Sequence, residues 1–156
     1  MAELFPLAIV SPVLVACAYS DLRYMRIPNK LVLMLAVFFV ITSPMLTLPE
    51  IGWRIAVSAI VFGISAIAFS LRMLGGGDVK MLAALLLFIP STTLTTFGYI
   101  FSSSMLTGLL VSTTLQNAAW AESLGWASVK AKGRFPMGIS IALAGVAHPL
   151  VVLAIQ

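Results

Sequence analysis

Charge is scarce in this sequence. Only 9% of its 156 residues are Asp, Glu, Lys or Arg, against roughly 25% in an ordinary soluble domain. A chain that is 61% hydrophobic has too little polar cover for water, and its mean hydropathy of +1.11 says the same. Lipid is therefore the solvent, and one compact membrane domain over residues 1–156 is the natural count. Cysteine is nearly absent too. The single Cys17 excludes an internal disulfide and any cysteine-based metal site. One histidine and five acidic residues form no His/Cys/carboxylate cluster, so neither a metal nor another cofactor is expected. No P-loop pattern, internal repeat or low-complexity segment is present. The net charge of +4 is small and gathers on one side of the membrane, which reads as topology and not as a nucleic-acid footprint.

What the sequence does have is apolar runs separated by short polar breaks. Six spans are expected, near residues 4–20, 31–42, 53–71, 79–90, 95–115 and 136–155. The first run is followed by a basic connection over 21–30, where Pro28 biases Ile27 to an extended backbone and Asn29 can cap the next helix. Pro44 and Pro49 mark the end of the second span and the turn after it, and Trp53 with Arg54 opens the third at an interface. The fourth span is short. The fifth is rich in Gly, Ser and Thr, as suits a helix packed within a bundle. Residues 116–135 form the longest polar connection, with room for an amphipathic helix on the membrane surface. A cleavable leader ending near Cys17 is disfavoured, because Glu3 and no Lys or Arg precedes the first run.

If the spans alternate, the connections after the first, third and fifth face one side. They carry Arg23, Arg26, Lys30, Arg72, Lys80, Lys130, Lys132 and Arg134, whereas the opposite side carries only Arg54. Eight of nine positive charges on one face is a strong positive-inside signal. The expected fold is thus an all-α, polytopic bundle of six transmembrane helices, with both termini on the non-cytoplasmic side.

Two acidic residues stand at the cytoplasmic edge of this frame. Asp21 ends the first apolar run, and Asp78 follows Gly75, Gly76 and Gly77 directly before the fourth. A carboxylate beside hydrocarbon is costly and reads as functional when a partner can be named. Two carboxylates sharing one water cannot both ionise easily, which leaves one general base and one general acid. Aspartyl proteolysis needs that division. The glycines let backbone approach closely and adopt positive φ, so an extended substrate can lie beside the acid.

The residues also resemble a known family. Gly75-Gly76-Gly77-Asp78 with Lys80-Met81 looks like the GxGDxK motif of type IV prepilin peptidases, which are membrane aspartyl proteases. Asp21 with Arg26-Ile27-Pro28-Asn29 resembles that family's first aspartate segment, and Arg134-Phe135-Pro136-Met137-Gly138-Ile139 resembles its late proline-glycine motif. The resemblance covers essentially the whole chain. It implies Asp21 and Asp78 as the catalytic pair, with Gly75, Gly76, Gly77, Lys80, Pro28, Asn29, Pro136 and Gly138 as substrate-binding or supporting residues. Larger members carry a cytoplasmic insert with paired cysteines and an N-methyltransferase activity; this chain has neither the cysteine pairs nor room for the insert, so no N-methyltransferase activity is expected of it. It is similar to the short, peptidase-only members of tight-adherence or Flp-type pilus systems. The implied partners are a prepilin or pseudopilin, the bilayer of the inner (cytoplasmic) membrane and the pilus-assembly machinery.

Plainer readings exist beside this one. Asp21 is also a helix-end residue that can pair with Arg23 or Arg26, and Asp78 suits the N-cap of the fourth helix. Lys80 reads as an interfacial anchor, Glu122 as a solvated loop residue and His148 as a structural one. A small proton- or cation-coupled transporter is the alternative function, though its acids belong nearer the midplane at a repeat interface. A non-catalytic pilus or secretion assembly subunit is another, but it gives no use to two edge carboxylates and a glycine loop.

Overall fold

Among the described residues there are seven α-helices, joined by turns and short 3-10 segments, and no strand. The computed structural model describes residues 2–131 and 133–155; Lys132 and the side chain of Glu122 lie outside what it describes. The helices are α1 (Phe5–Tyr24), α2 (Asn29–Thr42), α3 (Leu48–Ser70), α4 (Gly76–Leu86), α5 (Leu94–Asn117), α6 (Ala127–Lys130) and α7 (Met137–Ile155). Four stretches are long and apolar enough to cross a membrane: α1, α3, residues 91–117 and α7. The α2 segment, continued by a 3-10 turn at Ser43–Met45, is apolar but shorter.

The helix ends depart from the sequence reading for local reasons. Helix α1 runs past Ser20 to Tyr24 and stops where Met25 turns left-handed (φ 50°, ψ 39°), its N–H bonding to the Asp21 carbonyl. Asp21 therefore sits inside the last turn of a helix, with its backbone already committed. Pro28, not Asn29, occupies the cap position of α2 at φ −63° and ψ 134°, a backbone that proline supplies readily. Helix α3 starts at Leu48, earlier than residue 53, because Pro49 fits a first turn, where its missing N–H costs nothing. Helix α4 starts at Gly76 and spans 11 residues, about 16 Å. It needs no greater length, since α2, α3 and α7 pack round it. Residues 91–93 do not extend it; they form the 3-10 turn that opens α5.

Packing is inverted relative to a soluble protein. The buried positions of α3 are Glu50, Arg54, Ser58 and Ser65, and those of α5 are Phe97, Ser104, Gly108 and Ser112. Many of their large apolar side chains face outward, as with Ile60, Ile64, Leu106 and Leu110. In lipid there is no hydrophobic drive between helices, so small residues that allow close approach, with interhelical hydrogen bonds, take the inner face. Ser58 Oγ donates to the Ala83 carbonyl of α4 at 2.7 Å. Apolar packing is kept for the centre, where Leu7, Leu14 and Cys17 of α1 meet Met81 and Leu85 of α4 and Ile141 and Ala144 of α7.

Arg54, near the start of α3, turns inward. It is 1% exposed, and its Nε donates to Glu50 Oε1 at 2.8 Å. Glu50 also accepts from the Ser91 amide (2.9 Å) and hydroxyl (2.6 Å), so the pair ties α3 to the start of α5. Trp53, the neighbour, is exposed as expected. His148 is buried with Nε2 3.0 Å from Thr93 Oγ1, in keeping with a structural role.

Residues 116–135 contain a 3-10 turn (Ala119–Leu124) and the one-turn α6 in place of a long amphipathic helix. Gln116 holds this connection together. Its amide donates to the carbonyls of Ser128 (3.0 Å) and Arg134 (2.8 Å), and its Oε1 accepts the Gly133 N–H at 3.3 Å.

Candidate active site

The last turn of α1 and the first turn of α4 open onto one cavity of about 640 Å³. Asp21 and Asp78 both line it, with Gly75, Gly76, Gly77, Pro28, Asn29 and Lys80. Six of the eight supporting residues expected from sequence are thus gathered with both acids. Pro136 and Gly138 are not in the wall. Pro136 is buried just before α7, whereas Gly138 reaches Asp21 from behind.

Each carboxylate is held by backbone. Asp21 is 6% exposed, and Oδ2 accepts the Gly138 N–H at 2.8 Å. A side chain at 138 would not fit, since its Cβ would lie 2.8 Å from that same oxygen and 2.9 Å from Asp21 Cβ. No cation pairs with Asp21 among the described residues, where Glu50–Arg54 is the only salt bridge. Arg23 lies instead against the rings of Tyr19 and Tyr24. The helix-end pairing with Arg23 or Arg26 is therefore not made.

Asp78 occupies the third position of α4, not its cap, and turns back toward Gly75, the capping residue. This is the reach of an acidic side chain in a capping box, where a carboxylate meets the amide at the helix start. A Cβ on Gly75 would lie 2.6 Å from Asp78 Oδ2. The glycines serve close approach and not positive φ. Gly75 is extended at φ −77°, Gly76 and Gly77 are helical, and a Cβ on Gly77 would press on Ile27 at 3.2 Å. Asp78 Oδ1 is buried and has no hydrogen-bond partner among the described residues.

Asp78 lies at the loop end of α4, outside the spanning stretches. Burial pushes its carboxyl up from 3.8 to about 7, the charge on Asp21 adds to the rise, and the Gly75 backbone opposes it. Electrostatic influence of one carboxyl on the other is what a coupled acid–base pair requires. Among the described residues no three His, Cys, Asp or Glu side chains converge on a metal position.

Sequence reasoning missed part of the wall. Ser20 and Tyr24 of α1 and Met25 and Ile27 of the connection also line the cavity. Ser20 Oγ donates to the Arg26 carbonyl at 2.8 Å, folding the connection back over the end of α1. Adjacency to Asp21 was the available signal for Ser20. Asn29 serves as a partner and not as a cap: Lys80 Nζ donates to its Oδ1 at 3.1 Å.

A family model described as the type IV leader peptidase family matches residues 8–113. Searches of curated proteins and of solved structures found no match. The matched stretch is more than half of the chain and includes Asp21 and Asp78. The chain belongs to the type IV leader peptidase family and is a membrane-embedded peptidase.

Proposed function

We propose that this leader peptidase is an aspartyl endopeptidase whose catalytic pair is Asp21 and Asp78. The observation that carries the reading is that two acids from distant parts of the chain line one cavity. Asp21, the base, takes a proton from a water whose oxygen attacks the scissile carbonyl carbon. Asp78, the acid, gives its proton to the carbonyl oxygen, and a neutral gem-diol forms. The C–N bond then breaks as Asp21 protonates the leaving nitrogen and Asp78 recovers a proton from one hydroxyl. The pair ends as it began, with one proton between two carboxyls.

The substrate we infer is a prepilin or pseudopilin, cut at the cytoplasmic face of the inner membrane to release its leader. The charge distribution supports this side, since eight of nine basic residues fall on the three connections of the face expected to carry the two acids. In this reading α2 and the apolar stretch that follows Asp78 complete a six-span frame whose termini are non-cytoplasmic. The chain acts as one peptidase domain without a methyltransferase insert and supplies a pilus-assembly machinery. Membership in a peptidase family favours this reading over a transporter or an assembly subunit.

The test is cleavage of a prepilin by the purified protein in detergent, with the leader identified by mass. Release of the leader by wild type, and none by the doubly substituted Asp21→Asn, Asp78→Asn protein, is expected. Equal release by both proteins would overturn the proposal.

A further inference from the structure

The two acids are carried by helices whose backbones scarcely approach each other. Helices α1 and α4 each pack against α2 and α7 instead, so the distance between Asp21 and Asp78 is set through other parts of the chain. On one side stands α7, whose Gly138 holds Asp21. On the other is the short connection over residues 25–28, which leaves α1 one turn after Asp21 and reaches the helix start that carries Asp78. Three contacts fix its course. Ser20 Oγ donates to the Arg26 carbonyl at 2.8 Å. Ile27 is buried against Gly77, where an added Cβ would come within 3.2 Å of its side chain and 3.6 Å of its amide nitrogen. Just beyond, Lys80 Nζ donates to Asn29 Oδ1 at 3.1 Å. Met25 enters the connection at φ 50°, a left-handed backbone that is costly for a residue with a side chain and persists only where its surroundings impose it.

We propose that the 25–28 connection is a strut that sets the distance between Asp21 and Asp78, with Ser20 and Ile27 as its positioning residues, one at each end. The inference rests on the leader-peptidase reading and deepens it. Ser20 directly precedes Asp21, and Ile27 touches Gly77, which directly precedes Asp78. Each end of the strut therefore meets the backbone next to an acid. The hydroxyl hydrogen of Ser20 is committed to the Arg26 carbonyl, so this residue acts through the acids and not on the substrate. Without that bond the left-handed turn at Met25 relaxes, and the connection lifts from the end of α1. The start of α4 then loses the stop against which Gly77 rests. A pair loosened in this way keeps both carboxyls but no longer holds one water between them. The step that suffers is the attack that needs both acids at once, so kcat falls while substrate binding does not.

The test reads the separation of the acids through the titration of Asp78, which the charge on Asp21 raises, and then through cleavage. The infrared band of the protonated Asp78 carboxyl is followed against pH in detergent, as the difference from an otherwise identical Asp78→Asn protein. Four proteins are compared: wild type, Ser20→Ala, Asp21→Asn, and Ser20→Ala with Asp21→Asn. Tyr24, Arg26 and Lys80, which also line the cavity, stay in place in all four. With the acids moved apart, Ser20→Ala should lower the Asp78 midpoint by about half a pH unit or more. In the Asp21→Asn background it should lower the midpoint no further. An unchanged midpoint in Ser20→Ala, or the same fall with and without the Asp21 carboxylate, would overturn the proposal. In cleavage of a leader peptide, Ser20→Ala and Ile27→Ala should each lower kcat about tenfold or more and leave KM within about twofold. Both changes release one strut, so the double variant should lose little beyond the larger single loss. Full kcat in either variant, a change confined to KM, or losses that multiply would overturn it. If wild type cuts no leader peptide, the peptidase reading fails, and the infrared titration still decides the strut. If wild type cuts and the midpoint does not move, the strut alone is wrong.

Discussion

The backbone N–H of Gly138, in the first turn of α7, donates a 2.8 Å hydrogen bond to Asp21 Oδ2 in the last turn of α1. A residue from the late proline-glycine segment thus sets the position of the first acid. Gly138→Ala would place a methyl carbon 2.8 Å from that oxygen, forcing the carboxyl aside. A misplacement near 1 Å costs about 10²-fold in rate. Loss of that size in kcat is expected, with helix content unchanged by circular dichroism; a fully active variant would show that Asp21 tolerates displacement.

The glycines of α4 lead to a paired prediction. Gly75→Ala sets a Cβ 2.6 Å from Asp78 Oδ2, whereas a Cβ at Gly98 meets nothing within 4 Å. An aspartate side chain can rotate away, so Gly75→Ala should lower kcat at least about tenfold with little change in thermal unfolding. Gly98→Ala, inside α5, should keep full activity and gain about 0.5–1 kcal/mol of stability from restricted backbone freedom. Equal activity in the two variants would count against close contact at Gly75.

The raised value of Asp78 predicts a pH profile. With its proton held up to about pH 7, the acid is ready below that pH and lost above it. The kcat/KM profile should therefore fall on its alkaline side, with an apparent midpoint near 7 that belongs to the coupled pair. Stability follows the same sign. The favourable term from the protonated group is full below the ordinary value of 3.8 and is lost as pH rises through about 7. Asp78→Asn, which cannot ionise, should unfold at a higher temperature than wild type at pH 8 and show no such difference at pH 4. A flat activity profile through pH 9 would remove the acid role from Asp78.

The buried Glu50–Arg54 pair concerns folding and not chemistry. Glu50→Ala leaves a guanidinium with 0% side-chain exposure and no carboxylate, which typically costs about 3–5 kcal/mol. Replacing both residues by apolar ones should cost much less. Thermal unfolding in detergent measures both, and equal destabilisation by the single and double variants would contradict the account.

Much of the site was legible because its chemistry is rare. With five acidic residues in the chain, Asp21 and Asp78 stand out against hydrocarbon, and the glycines mark the second. The late motif also pointed to Gly138, but not to its partner: a glycine's contribution here is an N–H and an absent Cβ, which no side-chain pattern reveals. The burial of Arg54 is not legible in the sequence, because Glu50 and Ser91 come together beside it only when α3 meets the start of α5. Asn29 was assigned to a cap by local preference, while a residue far along the chain, Lys80, claims its side chain. Pro28 supplies the same backbone without it. The start of α4 was placed late because glycines disfavour helix; burial among three other helices overrides that preference.

The most direct measurement compares leader cleavage by wild type, Asp21→Asn, Asp78→Asn and the double variant, all shown to be folded and membrane-inserted. If the two acids work as one unit, each single change removes about 10⁴-fold or more of kcat, and the double change removes little beyond that. If either single variant keeps substantial activity, or the two losses multiply in the double variant, the acids do not share one proton and one water. The account of this cavity as an aspartyl site would then be wrong.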